Sequence, residues 1–355
     1  MGKCLFLIKM TKLEKLINEV GKDIFFNDYV YENLKCFDSS NNKIEICDAL
    51  FEYCDNYVVI QAKERGSYTD DINKENKWLD NVVEKATKQI IKSIELIKKD
   101  ESIVINDLYH QSVILNSKNN LFPIIIFDNP LIKEYKRVVC VENLLINVFS
   151  FDDFSNAVKA TIHPFRFFNY LENRATFFFS NDSCSFPKLF IGEDENSITM
   201  SSIKTEIDFS SSFNANLFNK IEPINKLMNI IKKFKSKMLK NDPNYKTILK
   251  LLQYIKPEQA DEFVSRFETT MSEALNKKET MNKALIEVIN NKKTAIVFVS
   301  SGAKKFEASY VEQLLYKAKD NMKVDNVLLL LFSYYTDKDF DLDWIYFEQN
   351  DNTPS

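Results

Sequence analysis

Residues 43–65 read KIEICDALFEYCDNYVVIQAKER, and the pattern of the whole chain is organised around them. A strand-like run from Lys43 reaches Tyr53, the polar turn Cys54-Asp55-Asn56 follows, and Tyr57–Ile60 then runs into Gln61-Ala62-Lys63. Successive side chains on a strand point to opposite faces. Gln61 and Lys63 therefore emerge side by side while Ala62 points away. Pairing of the two runs as a hairpin brings Asp48 close to both, so a carboxylate, an amide oxygen and an ammonium converge at one end of a buried sheet.

Both flanks extend that centre into an α/β unit. Leu13, Leu16, Ile17 and Val20 recur at helical spacing, which predicts an amphipathic helix over residues 11–20 with Gly21 as its stop. Tyr29–Phe37 reads as a strand joined to Lys43–Tyr53 through the polar turn 38–42. Tyr57–Lys63 is apolar on both faces before its polar end, as a central strand is. Gly66–Asn76 reads as a loop. From Trp78 to Lys99 a long helix carries Leu79, Val82, Val83, Ala86, Ile90, Ile94 and Ile97 on one stripe. Short strands at Ile103–Ile105, Ser112–Leu115, Phe122–Phe127 and Leu144–Phe149 complete a first domain over residues 11–150.

Residues 151–355 form the second expected region, mostly helical with a small α/β unit at its end. Helices are expected at Asp152–Thr161, from His163-Pro164 through Arg174, and over about 215–240, 244–256 and 257–290. The chain closes with a β-α-β-β pattern: Thr294–Ser300, Ala308–Lys319, Val327–Tyr335 and Trp344–Phe347.

Composition narrows the function classes. Five glycines leave no GxGxxG or GxxxxGK[ST] loop for phosphate. Two histidines give little material for a zinc site or a Ser-His-Asp triad. The six cysteines form no CxxC pair and several lie in apolar runs, as buried free thiols do. A formal charge of −4 places any nucleic-acid affinity in a local patch rather than a global field. No stretch reaches the roughly 18 apolar residues of a membrane span, so no membrane partner is expected, and a reduced cytoplasmic protein is.

The D-x12-Q-x-K constellation of Asp48, Gln61 and Lys63 suits phosphodiester hydrolysis assisted by a divalent cation, magnesium (or manganese), which prefers oxygen ligands. Asp48, the Gln61 side-chain oxygen and the Ala62 backbone carbonyl are the expected ligands. Lys63, a compact three-donor charge, is placed to orient the attacking water or steady the pentavalent phosphorane. The plainer alternative is a hairpin whose polar ends are merely solvated. Against it stands the cost of a lysine at the end of a strand apolar on both faces.

These residues and their flanking helices resemble the PD-(D/E)xK restriction-endonuclease-like nuclease superfamily, in its QxK variant found among restriction and phage-defence nucleases. That resemblance covers roughly residues 11–130. It implies an α-β-β-β-α-β core, with the metal-binding acid (Asp48) on the second strand and the QxK pair (Gln61, Lys63) on the third. It further implies a metal-dependent nuclease cutting DNA, ahead of RNA, in bacterial anti-phage defence. Restraint of such an enzyme calls for a protein partner or for activation through homo-oligomerisation.

Glu45 is a further candidate acid, although strict alternation sets it opposite Asp48 unless a bulge intervenes. Gln89, on the long helix, is a candidate by the family's habit of sending a glutamine toward the site. An acid of the first helix, Glu14 or Glu19, is left open. Lys232, Lys233, Lys235 and Lys237 lie in the one sustained basic stretch and could track a phosphate backbone, a solvated helix face being the plainer reading. The aromatic run Phe165, Phe167, Phe168 and Tyr170 reads as core rather than as a base-stacking platform. The alternative function is a catalytically weak, nuclease-fold binding or scaffold subunit of a defence complex.

Overall fold

The computed structural model describes residues 10–37, 43–99, 104–106, 112–180, 189–191, 198–200, 221–238, 244–289, 292–301, 306–336 and 339–348. The chain is a mixed α/β protein that divides into two compact units, Met1–Asn219 and Lys220–Ser355.

The first unit is built on a six-stranded mixed sheet. In chain order its elements are α1 (Lys12–Phe25), β1 (Val30–Phe37), β2 (Lys43–Tyr53), β3 (Asn56–Glu64), α2 (Ile72–Lys99), β4 (Val104–Asn106), β5 (Ser112–Ile114), β6 (Asn120–Asp128), β7 (Val138–Val141), β8 (Leu144–Ser150), α3 (Phe151–Thr161), α4 (Pro164–Ser180), β9 (Leu189–Ile191) and β10 (Ile198–Met200). The strand order is β1-β2-β3-β6-β8-β7. The β1–β2 and β2–β3 pairs are antiparallel, β3, β6 and β8 run parallel, and β7 returns antiparallel on the edge. Among the described residues β4 and β5 pair with each other, as do β9 and β10. The turn at 38–42 lies outside the described residues.

Burial explains the topology. Val58, Val59, Ile60 and Ile124–Phe127 are fully buried, as central strands covered on both faces must be. Ile90 and Ile94 of α2 pack on Ile125, Phe127, Ile146 and Val148. Tyr57, Val59 and Leu50 pack with Ile97 at the far end of the same helix. Across the sheet, Phe25 of α1 meets Phe51, Phe167 and Phe168.

Several expectations need correction. Gly21 does not stop α1: the helix continues to Phe25, and Gly21 is buried where any Cβ would strike the Phe51 ring. A close approach, not a turn, selects glycine there. α2 begins six residues earlier than Trp78, with the Asp71 carboxylate accepting the Asn73 and Lys74 N–H groups. β7 was not foreseen. Glu142 and Asn143 both take positive φ, so two residues turn the chain between Val141 and Leu144, and a four-residue strand leaves little periodicity to detect. The first unit also runs past the expected boundary at 150, because α3 and α4 pack on β8 and supply the aromatic layer under β2.

The second unit contains α5 (Ile221–Lys237), α6 (Tyr245–Gln253), α7 (Ala260–Leu275), β11 (Thr280–Ile289), β12 (Lys292–Ser301), α8 (Ala308–Met322), β13 (Asn326–Thr336) and β14 (Asp339–Glu348). The expected β-α-β-β unit is present as β12-α8-β13-β14, with β12 and β13 parallel, in a sheet of its own. The helix expected over 257–290 is wrong at its end. Residues 280–289 form β11, paired antiparallel to β12. Ala284-Leu285-Ile286-Glu287 has ordinary helix propensity, and the ladder to a fully buried partner strand overrides it. Val311, Leu314 and Ala318 of α8 cover one face, and Phe263 and Phe267 of α7 reach Phe298 and Phe332 on the other.

Candidate active site at the end of the β2–β3 hairpin

The β2–β3 ladder runs from Tyr53 opposite Asn56 to Ala49 opposite Ile60. Asp48 and Gln61–Lys63 lie just beyond its last pair, while β3 continues its ladder with β6 as far as Glu64 opposite Asp128. The Ala62 N–H donates to Asp48 Oδ2 at 2.7 Å. Lys63 Nζ stands 3.9 Å from the same oxygen and donates to Gln61 Oε1 at 3.3 Å. The three side chains expected to meet therefore do. Asp48 and Gln61 are buried, and the Lys63 side chain is 19% exposed.

The electrostatics of this corner are unbalanced toward negative charge. Burial pushes the Asp48 carboxyl up from 3.8 to about 6. The Ala62 N–H and Lys63 oppose that rise, and Glu14 and Glu45 add to it. Of the two acids left open on α1, Glu14 is thus the one near Asp48; it also closes a capping box, accepting the Thr11 N–H at 2.9 Å. Glu45 joins through a bulge. Leu34 pairs with Cys47 but Lys35 with Glu45, so Ile46 is an extra residue that shifts the side-chain phase of β2. The Glu45 side chain is exposed.

Gln89 is not brought in. Its side chain is exposed on α2. α2 touches β2 beside the site through Ser93, whose hydroxyl is shared between the Ile46 and Gln89 carbonyls, and through Ile97, which packs with Ile46 and Cys47. In the second unit Lys232, Lys233 and Lys237 are exposed on α5 and Lys235 is half-buried, with Lys237 3.9 Å from Asp341.

Sequence reasoning missed what holds the end of β3. Glu75, in the first turn of α2, is fully buried. It accepts two bonds from Arg65 (3.1 and 3.2 Å), the Thr69 N–H and hydroxyl (3.0 and 2.9 Å) and the Asn129 amide (2.7 Å). These donors, Arg65 first, hold its carboxyl down at about 2. Arg65 also lies over the Trp78 ring at 5.4 Å. The carboxylate thus ties the residues after Lys63 to α2 and to the end of β6. The one available signal was Glu75 itself, a lone acid three residues after the Asp71-Ile72 step in a polar stretch.

The donor set fits a hard divalent cation in kind: a carboxylate, an amide oxygen and a main-chain carbonyl on adjacent residues, with two further carboxylates nearby. Among the described residues, no three His, Cys, Asp or Glu side chains are grouped as a preformed metal cage. No helix of the described residues is long and apolar enough to cross a membrane. Compared with family models, with curated proteins and with solved structures, the chain finds no match.

Proposed function

We propose that the chain is a metal-dependent nuclease that hydrolyses phosphodiester bonds of DNA, ahead of RNA, at Asp48, Gln61 and Lys63. The observation that carries this is the meeting of the three polar groups within 3.9 Å at the end of an otherwise apolar strand. The order α1-β1-β2-β3-α2-β6, interrupted by the separate β4–β5 pair before β6, supports it as the order the resemblance implies, as does the negative balance around Asp48. Magnesium or manganese held by Asp48, Gln61 Oε1 and the Ala62 carbonyl would supply charge neutralisation and a more acidic water.

The chain's own residues do the rest. Lys63 puts a positive charge beside the scissile phosphate and donates to the oxygen that attacks or to the phosphorane. Gln61 accepts from Lys63 and so fixes the ammonium over the site. Asp48 must be ionised to act, which its raised value makes sensitive to mild acid. A role in bacterial defence, and restraint by a protein partner or by self-association, rest on the family resemblance.

A second function is favoured by two specific features. Gln61 is neutral where an acid would add charge, and Asp48 Oδ2 is already engaged by Ala62 N–H and Lys63. Both features fit a nuclease-fold subunit that binds without cutting. Purified protein with magnesium or manganese, tested on plasmid, linear and single-stranded DNA and on RNA, separates the two. Cleavage lost by about 100-fold or more in Lys63→Ala supports the nuclease; equal inertness of wild type and variant supports the binding subunit.

A further inference from the structure

At the opposite end of β3 from Lys63, a cleft of about 600 Å³ opens between the start of the strand, the end of α2 and the first turns of α4. Its size lies in the range of small-molecule sites, roughly 300–1,000 Å³. Most of its rings are committed to one another: Phe122 meets Phe168 edge-on at 4.8 Å, and Tyr53 stacks on Phe168 at 6.0 Å. Phe165 is not. It is half-buried, lines the cleft and has no ring partner among the described residues.

Two ammoniums stand at the rim, Lys98 in the last turn of α2 and Lys118 in the turn before β6. Both are exposed, and neither has a carboxylate partner among the described residues. Asn56 and Asn120 line the same cleft, and Asn120 Nδ2 donates to Asn56 Oδ1 at 3.1 Å, which leaves the Asn120 side-chain oxygen as an acceptor. Single unpaired lysines are ordinary surface features. Two beside a ligand-sized cleft that also holds an uncommitted ring and a paired set of amides outnumber the one carboxylate of its lining, Glu172, and have a joint chemistry.

We propose that this cleft binds a nucleoside phosphate, with the base against Phe165, its edge read by the asparagine amides and the phosphate held by Lys98 and Lys118. Every base presents a π-face that stacks on an aromatic ring. With Asn56 Nδ2 donating to the Tyr53 carbonyl and the two amides paired, the Asn120 oxygen and the second hydrogen of each amide are what the pair offers a base edge; lysine is a point-charge partner of phosphate. From Asn56 to Lys63 is seven residues, about 23 Å along an extended strand. The cleft is therefore a separate site, and it does not depend on the nuclease proposal.

Calorimetric titration of the full-length chain with AMP, GMP, CMP and UMP, each compared with its nucleoside and with inorganic phosphate, is the test. At least one nucleotide should saturate the protein and bind more tightly than either fragment. The double variant Lys98→Glu/Lys118→Glu should weaken it by about tenfold or more, and Phe165→Ala by about fivefold. Should Phe165→Ala fail a circular-dichroism check of its fold, Phe165→Leu keeps the volume and removes the π-face. Lys63→Ala should leave the affinity unchanged. Absence of binding at millimolar nucleotide, equal affinity for phosphate alone, displacement by a single-stranded oligonucleotide, or indifference to both variants each overturns the proposal.

Discussion

Asp48 lets the proposed chemistry be tested without a substrate. Its carboxyl is raised from 3.8 to about 6, with burial as the largest cause. The gap of about two pH units is worth about 3 kcal/mol, at about 1.4 kcal/mol per unit. Because the folded value is the higher one, this contribution is fully present below about pH 4 and is lost as pH rises through 6. Asp48→Asn keeps an oxygen for the Ala62 N–H and removes the titration. In chelator, the variant should therefore gain up to about 3 kcal/mol on the wild type between pH 4 and pH 8. Magnesium should act in the opposite sense. At tenfold excess over its dissociation constant it should add about 1.4 kcal/mol to the wild type at pH 8 and nothing to Asp48→Asn. Urea unfolding followed by Trp78 fluorescence in a Trp344→Phe background measures both. A wild-type-minus-variant difference that is flat from pH 4 to pH 8, or an equal magnesium gain in the variant, would refute the reasoning.

The hub at Glu75 titrates the other way. Its carboxyl is held at about 2 by Arg65, Thr69 and Asn129, so its contribution is present above about pH 4.5 and is lost as pH falls toward 2; Glu75→Gln should lower the thermal midpoint at pH 7 and flatten that acid limb. Gly21→Ala gains up to about 1 kcal/mol of helix propensity but forces a methyl into the Phe51 ring, so a net loss of about 1–3 kcal/mol is expected. Adding Phe51→Leu to Gly21→Ala should recover part of that loss, and additive losses in the double variant would show that the contact is not the cause. Arg174 is fully buried, with bonds to the Arg137 and Val148 carbonyls and to Asn147 Oδ1, and its guanidinium is 3.8 Å from the Phe149 ring. Lysine cannot reproduce that fork, so Arg174→Lys should cost about 3 kcal/mol, read by the same urea titration.

How legible each part was in the sequence depended on the range of the interactions that decide it. β2, β3, α2 and β6 showed in the sequence because each carries several periods of one pattern, alternating or 3.6-fold, over a long run. β7 and β11 did not. The first is too short to show a period, and the second has helix-forming residues held extended by β12. Phe165 was read with its neighbours as core, yet of that run Phe167, Phe168 and Tyr170 are buried while Phe165 is half-buried on the cleft. Adjacent residues on a helix face different ways, and only the packed neighbour decides which face is solvent.

For the opening hairpin the division is the same. The amino-acid sequence alone determined that Gln61 and Lys63 share a side of β3 and that Asp48 comes to them, because strand alternation and a short polar turn are local rules; the turn read as Cys54-Asp55-Asn56 is two residues long, with Asn56 already paired to Tyr53. Tertiary structure decided what those rules do not reach: that the ladder ends at Ala49 and Ile60, so the Asp48 carboxylate takes the Ala62 N–H; that the bulge at Ile46 shifts the phase at Glu45; and that Glu14, but not Gln89, comes near the site. Each of these depends on contacts between segments distant in sequence, and burial, which sets the charge state of Asp48, exists only once those segments have packed.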